Sequence, residues 1–395
     1  MRILVAATGG VAAIKTPLVL RRLRERGHEV RALATPRALA FITPLSLAVA
    51  AGGEVATEEA WFRPDGRPLH IELARWAEVV LVAPATADAL AKAALGLADD
   101  LLSATLLAGA ARVAWAPAMN KEMWASPLVQ AHVERLKAIG HAFFGPVHGP
   151  LAAVGEGEGL GRMMEPEDLA DRLESWLAPK DLQGLKLLVS AGPTREYFDP
   201  VRFLSNPSSG RMGFAVAEAA RDRGAEVVLV AGPTGLLPPW GVEVVRVESA
   251  LEMRQALLSH YAWAEAVVMA AAVADYRPAE VKGDKEPKAE AERTLRLVRN
   301  PDILKEMGKK KEGRVLVGFA METQEGLERA RGKLLRKNLD LVVLNYVNRE
   351  GVGFGSEENE VTLVYKDRVE PLPRASKRWI ADRILDEIKR LRGSV

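Results

Sequence analysis

The first residues that could do chemistry form a glycine turn directly after an apolar run. The run Met1–Thr8 has the pattern of a buried strand, and Gly9 and Gly10 follow its last residue, Thr8. A glycine pair lets the backbone approach a ligand, and the start of the next helix offers free N–H groups to a phosphate. Because the turn lacks the third glycine of the dinucleotide fingerprint, it favours a mononucleotide. A tight turn without a ligand is the alternative.

Two further loops with small and polar residues also follow apolar runs of strand length. Residues 83–88 contain Thr86, and residues 117–123 contain Met119 and Asn120. Because parallel strands end at one edge of their sheet, we expect these loops and the glycine turn to border one crevice.

The second half of the chain repeats this arrangement with more charge. Ser208, Ser209, Gly210 and Gly213 stand at the start of a helical stretch, where hydroxyls, N–H groups and the helix dipole would bind an anion. A helix cap explains the serines equally well, but it gives no part to Asn206. Asp275 follows another apolar run and could bind a ribose or a magnesium ion. The polar loop 282–288 has the composition of a solvated surface loop.

Short apolar runs alternate with amphipathic stretches along the whole chain, a pattern typical of parallel sheets covered on both faces. The periodicity breaks at 178–184 and then restarts. We therefore predict an α/β protein with two domains, residues 1–180 and 181–395. The predicted helices cover residues 11–27, 87–107, 166–177, 211–224 and 375–392.

The composition excludes several classes of protein. Of the 395 residues, 48% are hydrophobic and 27% charged, so both halves can bury a core. A net charge of +2 argues against a nucleic-acid partner. There is no cysteine, which excludes disulfides and thiolate metal sites. No secretory signal and no run of about 20 apolar residues is apparent, so we expect a cytoplasmic protein without a membrane partner.

Several motifs of the first half together resemble the flavin-containing cysteine decarboxylases, above all those that act on phosphopantothenoylcysteine. They are Thr8-Gly9-Gly10, Phe41–Leu47, His70-Ile71-Glu72-Leu73, the loop 83–88, Ala98–Ser103 and the loop 117–123. The resemblance implies a flavodoxin-like fold that holds FMN between the subunits of a trimer. It implies His70 as catalytic base, although a lone histidine is more often structural, and Asn120 as the residue that holds the substrate carboxylate. The implied FMN-binding residues are Thr8, Gly9, Gly10, Ser46, Ala83, Thr86 and Met119.

The implied chemistry begins with oxidation of the thiol to a thioaldehyde, which accepts the electron pair left by CO2; the resulting enethiol is then reduced. Members of this family often carry a proton-donating cysteine on a mobile flap. The counterpart here is 151–163, where Ala153 or Val154 holds the cysteine position. Either another donor, such as Glu156 or water, replaces the cysteine, or this half stops at the enethiol or is impaired.

The second half resembles the phosphopantothenate–cysteine ligases of the CTP-using bacterial form. The resemblance implies that Asn206 helps the acyl-cytidylate intermediate meet cysteine. It implies Lys285 as the catalytic lysine of a closing loop, ahead of Lys282 and Lys288, with Mg2+ at Asp275. The implied CTP-binding residues are Ala272, Asp275, Lys285, Asn300, Pro301, Asp302, Ile303, Phe319, Lys333 and Lys337.

The two resemblances together imply consecutive steps of coenzyme A biosynthesis. Phosphopantothenate, cysteine and CTP are then the small-molecule substrates, with trimers formed through the first half and dimers through the second. The main alternative is an active ligase whose flavin domain is impaired or regulatory. A nicotinamide-dependent oxidoreductase is disfavoured because neither glycine turn has the dinucleotide spacing.

Overall fold

The computed structural model describes residues 1–109, 112–152, 155, 157–285, 294–322, 326–346, 356 and 358–393. The chain forms two compact units, Met1–Leu177 and Ala178–Val395. Among the described residues, no helix has the length and apolar character needed to cross a membrane.

The first unit alternates strands and helices along most of its length. Its strands are β1 (Arg2–Ala7), β2 (Glu29–Ala34), β3 (Val55–Ala56), β4 (Val79–Ala85), β5 (Val113–Pro117), β6 (Ala142–Phe143), β7 (Val147–Pro150) and β8 (Glu158–Arg162). Its α-helices are α1 (Thr16–Glu25), α2 (Pro44–Ala51), α3 (Glu58–Trp61), α4 (Leu69–Trp76), α5 (Ala87–Leu95), α6 (Leu101–Leu107), α7 (Lys121–Ala125), α8 (Pro127–Ala138) and α9 (Pro166–Leu177).

The first six strands form a parallel sheet in the order β3-β2-β1-β4-β5-β6. Side chains alternate across it, so Ile3 and Val5 join the core on one face and Leu4 and Ala6 the core on the other. The chain winds outward from β1 in one direction and from β4 in the other. The loops after these two strands therefore flank the switch point where ligands bind in such sheets.

Two of the predicted helices are interrupted. The predicted helix 11–27 begins with a 3-10 turn, Val11–Lys15, and becomes α-helical only at Thr16. The predicted helix 87–107 is two helices, because Gly96 takes a left-handed conformation (φ 70°) after α5 and Asp100 starts α6 with a capping box. Both interruptions lie beside the cavity described below.

The second unit contains a larger mixed sheet. Its strands are β9 (Lys186–Ala191), β10 (Arg195–Tyr197), β11 (Phe203–Ser205), β12 (Glu226–Ala231), β13 (Glu243–Arg246), β14 (Ala266–Met269), β15 (Tyr276–Pro278), β16 (Leu297–Arg299), β17 (Val315–Glu322), β18 (Leu341–Tyr346), β19 (Glu358–Asn359), β20 (Val361–Val364), β21 (Val369–Pro371) and β22 (Ala375–Ser376). Its helices are α10 (Arg211–Asp222), α11 (Ala250–Tyr261), α12 (Ile303–Lys309), α13 (Gly326–Arg336) and α14 (Lys377–Arg392).

The strand order of this sheet is β13-β12-β9-β14-β17-β18-β20-β21. The first six of these strands run parallel, and β20 and β21 add antiparallel pairs. Helices α10 and α14 cover one face, and α11, α12 and α13 cover the other. The prediction of a flavodoxin-like parallel sheet followed by a second Rossmann-like α/β domain is confirmed.

Candidate active sites

The first unit contains a cavity of about 920 Å³ where β1, β4 and β5 end. Among the predicted site residues, those that line it are Thr8, Gly9, Gly10, Thr86, Met119 and Asn120. The three loops singled out in the sequence therefore border one crevice, as the strand-end argument requires. Much of the remaining lining is apolar and includes Val11, Ile14, Leu102 and Leu106.

Hydroxyl groups tie two of these loops together. The Thr8 hydroxyl donates to the Pro84 carbonyl oxygen (2.8 Å) and accepts from the Thr86 backbone N–H (3.1 Å). The Thr86 hydroxyl in turn accepts from the Ala89 N–H (3.4 Å) at the start of α5. Thr8, only 2% exposed, thus holds the ends of β1 and β4 in register.

Glycines allow close backbone approaches around this cavity. A Cβ atom on Gly9 would lie 2.4 Å from the Arg37 Cβ, and one on Gly161 would lie 2.2 Å from the Met119 carbonyl oxygen. The Met119 N–H donates to the Gly161 carbonyl (3.0 Å), which joins β8 to the loop after β5. The hairpin of β7 and β8 was not predicted, because its strands are short and carry little apolar pattern.

Ion pairs at the cavity wall were also missed by sequence reasoning. The Lys15 ammonium contacts the Glu165 carboxylate (2.8 Å), and this hydrogen bond lowers the pKa of Glu165. The Lys92 ammonium contacts Asp99 (3.1 Å) and Asp100 (2.8 Å). Burial alone would lower the pKa of Lys92, but the surrounding carboxylates raise it. The fold brings these charged side chains together, so the sequence of one segment does not show that they pair.

Three predicted residues do not line this cavity. His70 is the second residue of α4, and its Nδ1 accepts a hydrogen bond from the Trp61 indole N–H (3.2 Å). The Ser46 hydroxyl donates to the Thr43 carbonyl (2.8 Å) at the start of α2. Ala83 is fully buried in the core. Their assignments stay predictions, as does the role of Asn120, whose side-chain oxygen accepts from the Glu122 N–H (2.8 Å).

The flap borders the same cavity. Pro150, Leu151 and Ala152 line it from the end of β7. The positions that bear on the missing cysteine, Ala153, Val154 and Glu156, lie outside the described residues.

The second unit contains a cavity of about 1010 Å³ at the ends of β14, β17 and β18. It gathers ten predicted residues: Asn206, Ala272, Asp275, Asn300, Pro301, Asp302, Ile303, Phe319, Lys333 and Lys337. Segments that are more than 100 residues apart in the sequence meet here, in the manner expected of strand ends.

Two asparagines connect the loops of this cavity. The Asn206 amide donates to the carbonyls of Ala272 (3.2 Å) and Val273 (3.4 Å). The Asn300 amide donates to the Ala274 carbonyl (2.8 Å), and its backbone N–H donates to the Asp275 carbonyl (2.8 Å). Both asparagines therefore fix the path of the chain that carries Asp275.

Two lysines from α13 and the loop after it provide positive charge. The Lys333 ammonium donates to the Phe319 carbonyl (2.5 Å), and the Lys337 ammonium pairs with Asp302 (2.8 Å). Burial, reinforced by the nearby charge of Lys337, lowers the pKa of Lys333 to about 8. Burial would raise the pKa of Asp302, but the Lys337 hydrogen bond and the Lys305 N–H bring it below its usual range.

The structure describes only residues 282–285 of the predicted catalytic loop 282–288. Lys285 is exposed and does not line the cavity, while Lys282 lies 3.5 Å from Glu280. Lys288, together with Glu286 and Pro287, lies outside the described residues. No group of three or more metal-ligating side chains occurs within the described part of the chain. Lys285 as catalytic residue and Asp275 as metal ligand stay predictions.

Sequence reasoning missed one wall of this cavity. Asn345, Asn359 and Lys377 line it from β18, β19 and the start of α14, and each is at least nine-tenths buried. Lys377 donates to the carbonyls of Ser356 and Glu358. A buried lysine is unusual in a folded protein, but its burial comes from the fold and has no local signal in the sequence.

Comparison with known proteins gives matches over both units. Residues 1–178 match the flavoprotein family, and residues 182–391 match the family described as the C-terminal domain of DNA/pantothenate metabolism flavoproteins. The coenzyme A biosynthesis bifunctional protein CoaBC of Vibrio cholerae serotype O1 is 43% identical over 97% of this chain and 96% of its own length. The CoaBC protein of Escherichia coli K12 is 43% identical over 98% of this chain and 96% of its own length. The chain belongs to the family of bifunctional CoaBC proteins.

The chain is therefore a bifunctional enzyme of coenzyme A biosynthesis, with a decarboxylase and a ligase half, as predicted. CoaBC of Bacillus subtilis strain 168 is 42% identical over 98% of this chain and 97% of its own length. Among solved structures, the C-terminal domain of a CoaBC protein covers 55% of this chain and all of its own, with 42% identity and a TM-score of 0.48. The structure of a PPC decarboxylase mutant complexed with pantothenoylaminoethenethiol covers 45% of this chain and 97% of its own, with 34% identity and a TM-score of 0.40.

Proposed function

We propose that the second unit joins 4'-phosphopantothenate to cysteine at the expense of CTP, and that the first unit uses FMN to decarboxylate the product to 4'-phosphopantetheine. The observation that carries the proposal is the pair of cavities, each at the carboxyl ends of parallel strands and each lined by most of the residues assigned to it. Family membership supports the pairing of the two reactions in one chain.

The first cavity fits a flavin mononucleotide. Its volume of about 920 Å³ lies within the range of cofactor sites, and Gly9 and Gly161 leave space that a side chain would fill. The apolar side chains of Val11, Ile14 and Leu106 suit a planar ring system, and the Thr8–Gly10 turn suits the phosphate. When bound, the flavin would supply reversible two-electron redox chemistry.

The residues of the first unit then orient the substrate and handle protons. Asn120 at the cavity wall would hold the cysteinyl carboxylate in place. Because His70 does not line the cavity of its own chain, we assign it to the cavity of a neighbouring copy. Leu45, Val49 and Phe62, each more than 70% exposed, offer apolar surface for such a contact. This arrangement agrees with a trimer formed through the first unit.

The second cavity suits an anionic nucleotide. The carboxylate of phosphopantothenate would attack the α-phosphorus of CTP and release pyrophosphate, and the amine of cysteine would then displace CMP from the acyl-cytidylate. Lys333 and Lys337 would offset the charge of the phosphates. A magnesium ion would be held by Asp275 and the phosphates, since Mg2+ commonly takes only one or two protein carboxylates. Asn206 would present the activated acyl group to cysteine, and Lys285 would close over it.

One reaction mixture tests the proposal. The full chain is incubated with 4'-phosphopantothenate, cysteine, CTP and Mg2+ at neutral pH, and the products are identified by mass spectrometry. We expect CMP, pyrophosphate, CO2 and 4'-phosphopantetheine. Accumulation of phosphopantothenoylcysteine would instead favour an impaired or regulatory flavin unit. Accumulation of the enethiol would show that the flap cysteine is needed. A colourless protein that binds NAD would overturn the flavin assignment.

A further inference from the structure

An arginine outside the lining of the second cavity contacts two residues of its wall. Arg277 is the middle residue of β15 and does not itself line the cavity. Its Nη1 donates to the side-chain oxygen of Asn300 (3.0 Å) and to the backbone carbonyl of Arg299 (2.9 Å). Asn300 and Arg299 both line the cavity. Arg277 therefore acts on the wall from outside it.

The two strands next to this arginine carry predicted site residues at their open end. β15 and β16 form a two-stranded antiparallel sheet in which Arg277 is paired with Val298. Asp275 directly precedes β15, and Asn300 directly follows β16. A two-stranded sheet is only marginally stable by itself, so the separation of its open ends depends on further contacts. The hydrogen bonds of Arg277 are contacts of this kind.

The segment that leads to Asp275 is held by side chains. Residues 270–275 lie between β14 and β15 and belong to neither a helix nor a strand. The fully buried Thr194 accepts from the Ala274 N–H (3.0 Å) through its hydroxyl. The Asn300 amide donates to the Ala274 carbonyl (2.8 Å). Asn300 thus holds the residue directly before Asp275.

The partners of Asn300 determine which way its amide faces. A guanidinium only donates and a carbonyl oxygen only accepts, so the amide oxygen faces Arg277 and the amide nitrogen faces Ala274. Asn300 is 8% exposed, so loss of Arg277 would leave its oxygen buried without this donor, at a cost in free energy. An amide that turns to recover a partner would oppose its oxygen to the Ala274 carbonyl. Arg277 thus maintains a contact that it does not itself make.

We propose that Arg277 is a positioning residue of the ligase reaction. Through the Asn300 amide, it holds residues 274–275 and residue 300 at the separation that binding of CTP requires. The proposal rests on the proposed function, because it takes Asp275 and Asn300 as part of the CTP site. An arginine outside the cavity lining then determines the affinity for the nucleotide.

A purely structural role of Arg277 predicts a different kinetic result. A variant that only unfolds part of the molecules lowers kcat, because fewer molecules are active, and leaves KM unchanged. A variant in which residues 274–275 are displaced keeps its active molecules but binds CTP more weakly, so that KM for CTP rises. KM for CTP, KM for cysteine and kcat therefore distinguish the two roles.

The test compares Arg277→Met, Arg277→Lys and Arg296→Met in the full chain. Methionine removes the donors, whereas the lysine ammonium keeps the charge and three donors. Arg296 directly precedes β16 on the same hairpin, is exposed and does not line the cavity, so Arg296→Met removes an equal charge as the matched control. CMP release is measured with 4'-phosphopantothenate, cysteine, CTP and Mg2+. CO2 release from phosphopantothenoylcysteine is the internal control for the first unit.

We expect Arg277→Met to raise KM for CTP about tenfold and to change kcat and KM for cysteine less than about twofold. Arg277→Lys should bring KM for CTP to within about threefold of the wild-type value, because the ammonium can still donate. Arg296→Met should keep all wild-type values. Calorimetric titration with CTP and Mg2+, without the other substrates, should show the same weakening of CTP binding in Arg277→Met.

A double variant tests whether the effect passes through Asn300. Asn300→Ala removes the amide and should itself raise KM for CTP. Adding Arg277→Met to Asn300→Ala should raise KM by no more than about twofold further, since the amide that Arg277 orients is already absent. Hydrogen exchange of peptides that cover residues 270–276 should become faster in both single variants, while β9 and α10 keep their protection.

Several results would overturn the inference. A lower kcat with an unchanged KM for CTP in Arg277→Met would reduce the residue to a structural role. Full additivity of Arg277→Met and Asn300→Ala would mean that Arg277 acts independently of the amide. An equal rise of KM in Arg296→Met would assign the effect to charge alone. If Arg277→Met does not fold, Arg277→Gln, with a shorter and neutral side chain, replaces it under the same expectations. Absence of CMP release from the unaltered chain would instead refute the proposed function.

Discussion

The two cavities lie at equivalent places in their sheets, but the protein provides different chemistry in each. In the first, two lysines of the wall form ion pairs with carboxylates, Lys15 with Glu165 and Lys92 with Asp100. In the second, Lys337 pairs with Asp302, but the Lys333 ammonium donates to the Phe319 backbone carbonyl and its pKa is lowered to about 8. Under the proposed function, the first cavity would rely on the redox chemistry of a bound flavin, whereas the second supplies charge that an anionic substrate would stabilise.

The largest effect expected from this comparison is a separation of the two activities. His70→Asn should reduce CO2 release by a factor of about 10²–10⁴, the usual contribution of a proton-handling residue. CMP release should keep its wild-type rate, because His70 belongs to the first unit. Both rates are measured on one preparation by product mass. Loss of both activities would contradict the assignment of separate sites.

The sequence predicted the positions of these cavities better than their walls. Strand-end loops are visible locally, because a buried strand has an apolar pattern and its end has glycines, serines and threonines. The pairing of Lys92 with Asp99 and Asp100 depends on α5 and α6 being two helices. The interruption follows from the left-handed Gly96, which a helical pattern conceals. Contacts made through the fold, such as Trp61 with His70, have no local signal.

The second prediction concerns the charge of the second cavity. Lys333 should be largely protonated at pH 7 and largely neutral at pH 9, because burial lowers its pKa to about 8. Binding of anionic CTP at pH 9 then requires uptake of a proton. We expect KM for CTP to be about tenfold higher at pH 9 than at pH 7, the factor by which the protonated fraction falls.

Variants of the two lysines separate this effect from other titrations. Lys333→Gln should raise KM about tenfold or more at pH 7 and remove the rise toward pH 9. In Lys337→Gln, the rise in KM for CTP should occur at a higher pH, because the nearby cation that helps to lower the pKa of Lys333 is removed. A rise that persists unchanged in Lys333→Gln would assign the titration to another group.

The third prediction tests the close approach of the flap hairpin to the first cavity. A Cβ atom at Gly161 would overlap the Met119 carbonyl oxygen at 2.2 Å, so Gly161→Ala must displace β8 or the loop after β5. We expect a loss of about 1–3 kcal/mol in local stability, together with weaker flavin retention. Hydrogen exchange of peptides from β5 and β8 measures the local stability, and flavin absorbance after dialysis measures the retention of the flavin.

Gly53 provides the matched control for this change. Nothing lies within 4 Å of a Cβ atom built there. Gly53→Ala should therefore leave exchange and flavin content unchanged. Equal effects of the two substitutions would mean that the hairpin does not depend on the contact with Met119.

The smallest effect is expected at Thr8, whose hydroxyl contributes to the cavity by holding its loops. Thr8→Val keeps the shape of the side chain but removes the bond to the Pro84 carbonyl and the acceptor for the Thr86 N–H. The loss should be about 1 kcal/mol, seen as faster hydrogen exchange at the ends of β1 and β4. Thr8→Ser, which retains the hydroxyl, should recover most of this protection. If Thr8→Val instead abolishes flavin binding while the exchange of β1 and β4 is unchanged, the hydroxyl contacts the cofactor directly and does more than hold the loops of the first cavity.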